Sequence, residues 1–362
     1  MKKALLATTA LVLSAGVAAA DVTISGYGRT GIIYYEDGYP LGGGVVADKD
    51  TQVISRLRMN VDATTETDAG VEFGGRLRFQ WDQNAGSGRD ALREQAGKLW
   101  ISAQGLTVEI GNIETAIDSS SLIYATELGA FDRSVGFSDV TGNFFAYTDG
   151  YANAGRVGVG AAYTFGDLTV RASYINPDQT RDLIVGEEKE IGLLAEYTWN
   201  DQLELSAAYT QNGAGIDDND IFFVGARFAV MENARIGLNY VDAGEGVLRP
   251  GTEAVPGTDP TLIYDEDGTT IIGIEPGTPA VAATAPVIGD GKTFALYGDY
   301  TLADGLTNIE AYVARNDQDW RATKTAYGIG VNYDLGGARL GASVQRDYDE
   351  LVTADMGVRF NF

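Results

Sequence analysis

The chain contains no histidine and no cysteine, and it carries 26 Lys+Arg against 51 Asp+Glu. Without imidazole there is no Ser-His-Asp triad, no histidine general base and no histidine metal ligand. Without thiols there is no disulfide framework, no cysteine nucleophile and no zinc or iron-sulfur site. Any metal would have to be a hard ion held by oxygen, such as Ca²⁺ or Mg²⁺. The formal net charge of -25 runs against the clustered Lys and Arg by which nucleic-acid binders release counterions, so no nucleic-acid partner is expected. Beyond the N-terminal twenty residues no apolar run is long enough for a spanning helix. Hydrophobic residues still make up 44% of the chain, more than a disordered acidic polymer carries, so a folded structure is expected.

The first twenty residues read as a cleaved signal peptide. Lys2 and Lys3 form a positive n-region, Ala4 to Leu13 an apolar stretch, and Ala18 and Ala20 an A-x-A cleavage signal. Its removal leaves a single domain, 21–362, starting at Asp21, with 24 basic against 51 acidic residues and a net charge of -27.

What the mature chain has in abundance is period-two alternation. Leu57, Met59, Val61 and Ala63 interleave with Arg56, Arg58, Asn60 and Asp62, and Val71, Phe73, Leu77, Phe79 and Trp81 with Glu72, Arg76, Arg78, Gln80 and Asp82. Such alternation marks strands with one apolar and one polar face. Short turns and long connections alternate just as regularly, and all eight prolines fall in or beside the long ones. The pattern predicts sixteen strands at 22–35, 51–64, 71–82, 96–103, 106–112, 143–165, 168–175, 188–199, 202–211, 220–230, 234–243, 292–302, 306–315, 324–335, 338–346 and 351–362. Residues 143–165 are read as one long or interrupted strand, which keeps the count even and both termini on one side.

Large apolar residues on one face and Gly, Ser, Thr, Asn and charge on the other invert a soluble core. They indicate an all-β fold, a closed antiparallel 16-stranded transmembrane β-barrel, in which every backbone donor is paired without an edge. Aromatics near strand ends, Tyr34, Trp81, Tyr163, Phe165, Trp199, Tyr300, Tyr333, Phe360 and Phe362, suit interfacial girdles. The final run Ala354, Met356, Val358, Phe360, Phe362 resembles the C-terminal strand by which outer-membrane proteins are recognised by their assembly machinery.

Several short stretches, in their order and spacing, resemble the general porins of Gram-negative bacteria: Gly26-Tyr27-Gly28-Arg29, Ser55-Arg56-Leu57, Gly97-Lys98-Leu99, Glu109-Ile110-Gly111-Asn112, Glu127-Leu128-Gly129, Asn143-Phe144-Phe145, Gly155-Arg156-Val157-Gly158 and the terminal Phe362. That resemblance implies a homotrimer in the outer membrane, short periplasmic turns, long external loops and a third loop, about 113–142, folded into the lumen. It also implies partners: outer-membrane lipid and lipopolysaccharide, the assembly machinery that reads Phe360 and Phe362, and small hydrophilic solutes and ions. Carried over by position, the loop's carboxylates are Glu127 and Asp132, with Asp118 and Asp139, facing a basic wall of Arg29, Arg56, Lys98 and Arg156 across the pore. Parity places those four cations, and Arg58, Arg76 and Arg78, on polar faces of their strands. Opposed charges in a narrow, low-dielectric constriction would hold a transverse field that orders water and disfavours apolar solutes.

Other motifs yield less. Gly26 to Gly31 matches G-x-G-x-x-G but sits inside a strand, where no helix N-terminus follows to hold a phosphate. Asp217 and its neighbours, and Asp265 with Asp267, are Ca²⁺ candidates lacking the full EF-hand spacing, so no cofactor is expected beyond Ca²⁺ at acidic loops. Residues 244–291 read as an exposed acidic loop over the mouth. The expected function is passive, mildly cation-selective diffusion of ions and small solutes, not catalysis. A substrate-specific channel, betrayed by saturable conductance, and a non-conducting receptor or adhesin barrel are the alternatives.

Overall fold

The computed structural model describes residues 21–38, 40–42, 45–46, 49–83, 91–141, 144, 156–176, 188–244, 247–249, 260–264, 271–275, 287–288, 291–319 and 321–362. The proposed signal peptide and the Ca²⁺ candidates Asp265 and Asp267 lie outside them. Sixteen strands form one closed antiparallel barrel in chain order. They are β1 (Asp21–Tyr35), β2 (Thr51–Glu66), β3 (Glu72–Asp82), β4 (Ala91–Ala103), β5 (Leu106–Gly111), β6 (Gly158–Phe165), β7 (Leu168–Ile175) and β8 (Glu190–Trp199). There follow β9 (Leu203–Gln211), β10 (Ile221–Met231), β11 (Ala234–Ala243), β12 (Gly291–Thr301), β13 (Thr307–Asn316), β14 (Thr325–Asp334), β15 (Ala338–Arg346) and β16 (Val352–Asn361). The seam is closed by β1 against β16, with Gly26 and Phe362 exchanging backbone hydrogen bonds of 2.8 and 3.0 Å.

One expectation needs correction. The proposed strand 143–165 begins only at Gly158; Phe144 is a bend packed on the loop core, and Asn143 and 145–155 lie outside the described residues. Within the acidic segment 244–291, Val247–Arg249 pairs with Val287–Ile288 and Thr261–Tyr264 with Ile271–Glu275.

The alternation read from the sequence becomes two faces. Along β8 buried and exposed residues alternate, with Leu193 55% and Trp199 48% exposed on the outside while Glu190 and Leu194 point in and are buried. The outer face is apolar all round, as Ile236, Leu296, Ile329 and Met356 illustrate. A water-soluble monomer rarely shows so large a contiguous apolar surface, whereas lipid demands one. Tyr163, Phe165, Trp199, Tyr300 and Tyr333 stand exposed beside short turns and Tyr34 at the opposite rim.

One strand is cut short, and the cut shapes the interior. β5 ends after six residues at Gly111, whose φ of +108° suits only glycine; a Cβ there would strike the Gly97 carbonyl. Asn112 still donates its N–H to Gly97 O at 2.9 Å, and the chain then leaves the wall for the lumen. Ile113, Ile117, Leu122, Ile123, Leu128 and Phe137 of this loop are all but inaccessible. All of these but Ile113 cluster with inward-facing Leu194, Phe223, Val241, Tyr297 and Tyr312, so the molecule's apolar core is the layer between loop and wall. The polar-face glycines make that layer thin. A Cβ at Gly160, Gly192, Gly225, Gly328 or Gly341 would lie 2.6 to 3.1 Å from Ile113, Ala116, Leu122, Leu128 or Ala130 respectively.

Candidate functional site

The inner wall of β1 to β3 carries the expected arginines; Arg29 of β1 donates to Phe131 O of the third loop at 2.5 Å, and the four on β2 and β3 are each tied to a cross-strand neighbour. Arg56 donates to Asp82 at 2.5 Å, Arg58 to Gln80 at 2.6 Å, Arg76 to Asp62 at 2.7 Å and Arg78 to Asn60 at 2.7 Å. Lys98 also faces inward but belongs to a different group: it shares Glu109 with Arg171, at 2.7 and 2.5 Å. Arg171 further donates to Glu114 O at 3.2 Å, so this trio braces the root of the loop. Arg156 departs from its expected setting. It lies two residues ahead of β6, on no strand, and is 3% exposed, buried where an open basic wall would have it accessible.

The loop carboxylates also separate. Asp132 was expected to face the basic wall across the pore; it is instead in contact with it, bonded to Arg359, paired with Arg339 at 2.5 Å and 4.0 Å from Arg29. A tight turn presents it: Leu128 N–H bonds Arg133 O at 3.1 Å, with Gly129 and Asp132 both at positive φ, a region short Asp tolerates. Asp139 is engaged within the loop by Arg133 at 2.6 Å, and Arg133 also donates to the Tyr35 hydroxyl at 2.7 Å. Asp118 accepts a 2.5 Å bond from the Tyr124 hydroxyl, and burial, reinforced by nearby Glu114, pushes its carboxyl up to about 7. Burial and then the charge of Asp139 push Glu127 up to about 8. Asp217 is exposed in a turn, and among the described residues no three acidic side chains group as a metal site.

The loop is fastened around much of the barrel. Ala116 N–H bonds Ser173 at 2.9 Å, Ser120 bonds Ser206 at 2.8 Å, Ser121 bonds Glu196 at 2.7 Å, and Asn239 donates to Leu122 O at 2.5 Å. At the far end Gly136 N–H bonds the Tyr312 hydroxyl at 3.0 Å, Gly136 O accepts from Tyr348 at 2.7 Å, and Gln345 clasps both Val135 N–H and Arg133 O at 3.1 Å.

Beneath the loop, on the side of the short turns, opens a cavity of about 890 Å³. Glu127 and Asp132 of the loop and Arg339 and Arg359 of the wall line it, and the pairs Arg227–Glu204 at 2.5 Å and Arg235–Asp299 at 3.1 Å flank it. Arg339, Arg359, Arg133 and Arg171 were not singled out from the sequence. Parity alone puts Arg339 and Arg359 on polar faces; what it lacks is the closure register that sets Arg359 opposite Arg29. Phe360 and Phe362 lie on the outer face at the seam, their rings against Gly28 and Gly26.

The chain is similar to known proteins along most of its length. A family profile described as Gram-negative porin matches residues 7–349. A porin of Fuscovulum blasticum is 37% identical over 350 residues, covering 94% of this chain and all of that one. A porin of Rhodobacter capsulatus is 26% identical over 377 residues with the same coverage. A mutant porin of Rh. blastica superposes with a TM-score of 0.73 at 34% identity, again over 94% of this chain and 100% of that one.

Proposed function

The chain belongs to the Gram-negative porin family, and from that premise we propose that it is a passive outer-membrane diffusion channel for ions and small hydrophilic solutes, mildly cation-selective and trimeric. One observation carries the reading: a closed barrel, apolar outside, whose lumen holds an anchored loop and a charge-lined cavity of about 890 Å³ instead of a filled core. Diffusion through water needs no nucleophile, base or redox centre, which agrees with a chain lacking His and Cys. The excess of acid over base favours cations at the mouths, where screening is weakest at low salt. Inside, Asp132 and, once ionised, Glu127 on the loop, with Arg29 and Arg359 on the wall beside them, supply the local field that favours hydrated dipoles. Outer-membrane lipid and lipopolysaccharide suit the apolar belt, and the Phe360–Phe362 end suits recognition by the assembly machinery.

Planar-bilayer recording of the purified protein tests this. Stepwise ohmic conductance with a reversal potential favouring K⁺ in a KCl gradient is expected, and Arg56→Gln should raise that preference further. Clear anion preference would remove the selectivity claim, and a non-conducting barrel would point to a receptor.

A further inference from the structure

Four arginines stand side by side on the inner wall across the barrel's closure. In the ladder register Arg339 faces Arg359, Arg359 faces Arg29, and Arg29 faces Arg56. Cross-strand neighbours lie about 5 Å apart, and like charges directly opposed weaken a sheet, so something must offset them. Two carboxylates do so in part: Asp132, shared by Arg339, Arg359 and Arg29, and Asp82 on Arg56. Within salt-bridge reach the four arginines share only these two carboxylates; Asp334, opposite Arg339 in the ladder, and Glu310 add acid at that end of the row, and Arg58 over the Tyr27 ring adds a fifth guanidinium at the other. The Tyr27 ring adds to the cluster, with Arg359 4.4 Å and Arg29 5.9 Å from its centroid. Glu127 acts electrostatically on Arg29 and Arg359, but with its carboxyl pushed up to about 8 it subtracts little charge at neutral pH. Both Arg339 and Arg359 line the cavity, so solutes in the lumen reach them.

Asp132 already displays the chemistry this row selects, an oxygen anion gripped by several guanidinium forks. We infer that the arginine row is a binding subsite for multiply charged oxyanions, phosphates or di- and tricarboxylates, which dock on Arg359 and Arg339 from the cavity with Arg29 and Arg56 behind them. Guanidinium forks pair two oxygens at once, which chloride cannot offer, so oxyanions outcompete it there. The inference rests on the diffusion-channel reading and narrows it: a pore whose mouths favour cations holds an internal station that retains polyvalent anions.

The test uses the purified full chain in planar bilayers at neutral pH, in KCl, with potassium phosphate or potassium citrate added in separate arms. A saturable fall in current is expected, phosphate and citrate together marking the shared chemistry and the stronger one naming the better ligand. Arg359→Gln should raise the half-blocking concentration about tenfold, and Asp132→Asn, which vacates the forks, should lower it about tenfold. A merely structural role for Asp132 predicts no tightening. Unsaturable current in both arms, or equal block in Arg359→Gln, overturns the subsite. If KCl itself carries no current, the channel reading falls, and calorimetric titration of phosphate into the detergent-solubilised protein decides the subsite alone: heat that Arg359→Gln abolishes supports it, and no heat overturns it.

Discussion

Asp132 and Glu127 are five residues apart on one loop, yet their surroundings give them opposite tasks. Asp132 sits among guanidinium groups and binds the loop to the wall. Glu127 is held in a half-buried place where desolvation and Asp139 oppose its charge, so it titrates near neutrality, with its carboxyl at about 8. The sign follows directly. As pH rises through about 8, Glu127 gains a negative charge beside Arg29, so cation preference should increase between pH 7 and pH 9. Reversal potentials across that range would show it, and Glu127→Gln should flatten the profile. Because the folded-state value is raised above the ordinary 4.5, the protonated form favours the folded loop, and that contribution is lost as pH climbs toward 8.

At the scale of an element, the third loop is a lining more than a flap. Its apolar side chains pack against the wall, and Gln345 clasps its far end through Val135 N–H, Arg133 O and the Tyr312 hydroxyl, all within 3.1 Å. Gln345→Leu would strand buried polar groups at about 1–3 kcal/mol each, so the loop tip should loosen. Single-channel recordings should then show greater open-state current noise with little change in mean conductance; unchanged noise would mean the remaining anchors suffice. Little of this loop was legible beforehand. The strands could be read because period two is a local property of Leu57, Arg58, Met59 and their like. That Phe223, Tyr297 and Tyr312 on the inner face would become the loop's bed depends on contacts between residues far apart in the chain, with Gly136 and Tyr312 176 residues apart. The same holds for Asp132, whose place in the third loop was expected while its contact with Arg339, 207 positions away, required the barrel's closure. At 143–165 local alternation runs on past the strand that begins at Gly158, because Arg156 and Val157 continue the pattern just ahead of it.

Across the whole molecule the charge is sorted by place. Arginines gather along the seam of β15, β16, β1 and β2, while the acids outnumber bases by 51 to 26 over the chain. If mouth acids set the cation preference, it must be a long-range effect and therefore salt-sensitive. The Debye length shrinks from about 10 Å at 0.1 M to about 3 Å at 1 M, so the K⁺ over Cl⁻ permeability ratio should fall toward unity over that range. A ratio independent of salt would locate selectivity at the short-range contacts of the loop instead.

The glycine seat beneath the loop has a mechanical meaning. A bore is usually thought of as set by the circumference of its tube, here sixteen strands. This one is set by wall thickness, since the lining rests flush on Gly192, Gly225, Gly328 and Gly341. A methyl group at any of these would act as a shim, pushing the lining inward by a fraction of its own width. Calibre can therefore be trimmed from behind, at positions that no passing solute touches and that carry no charge.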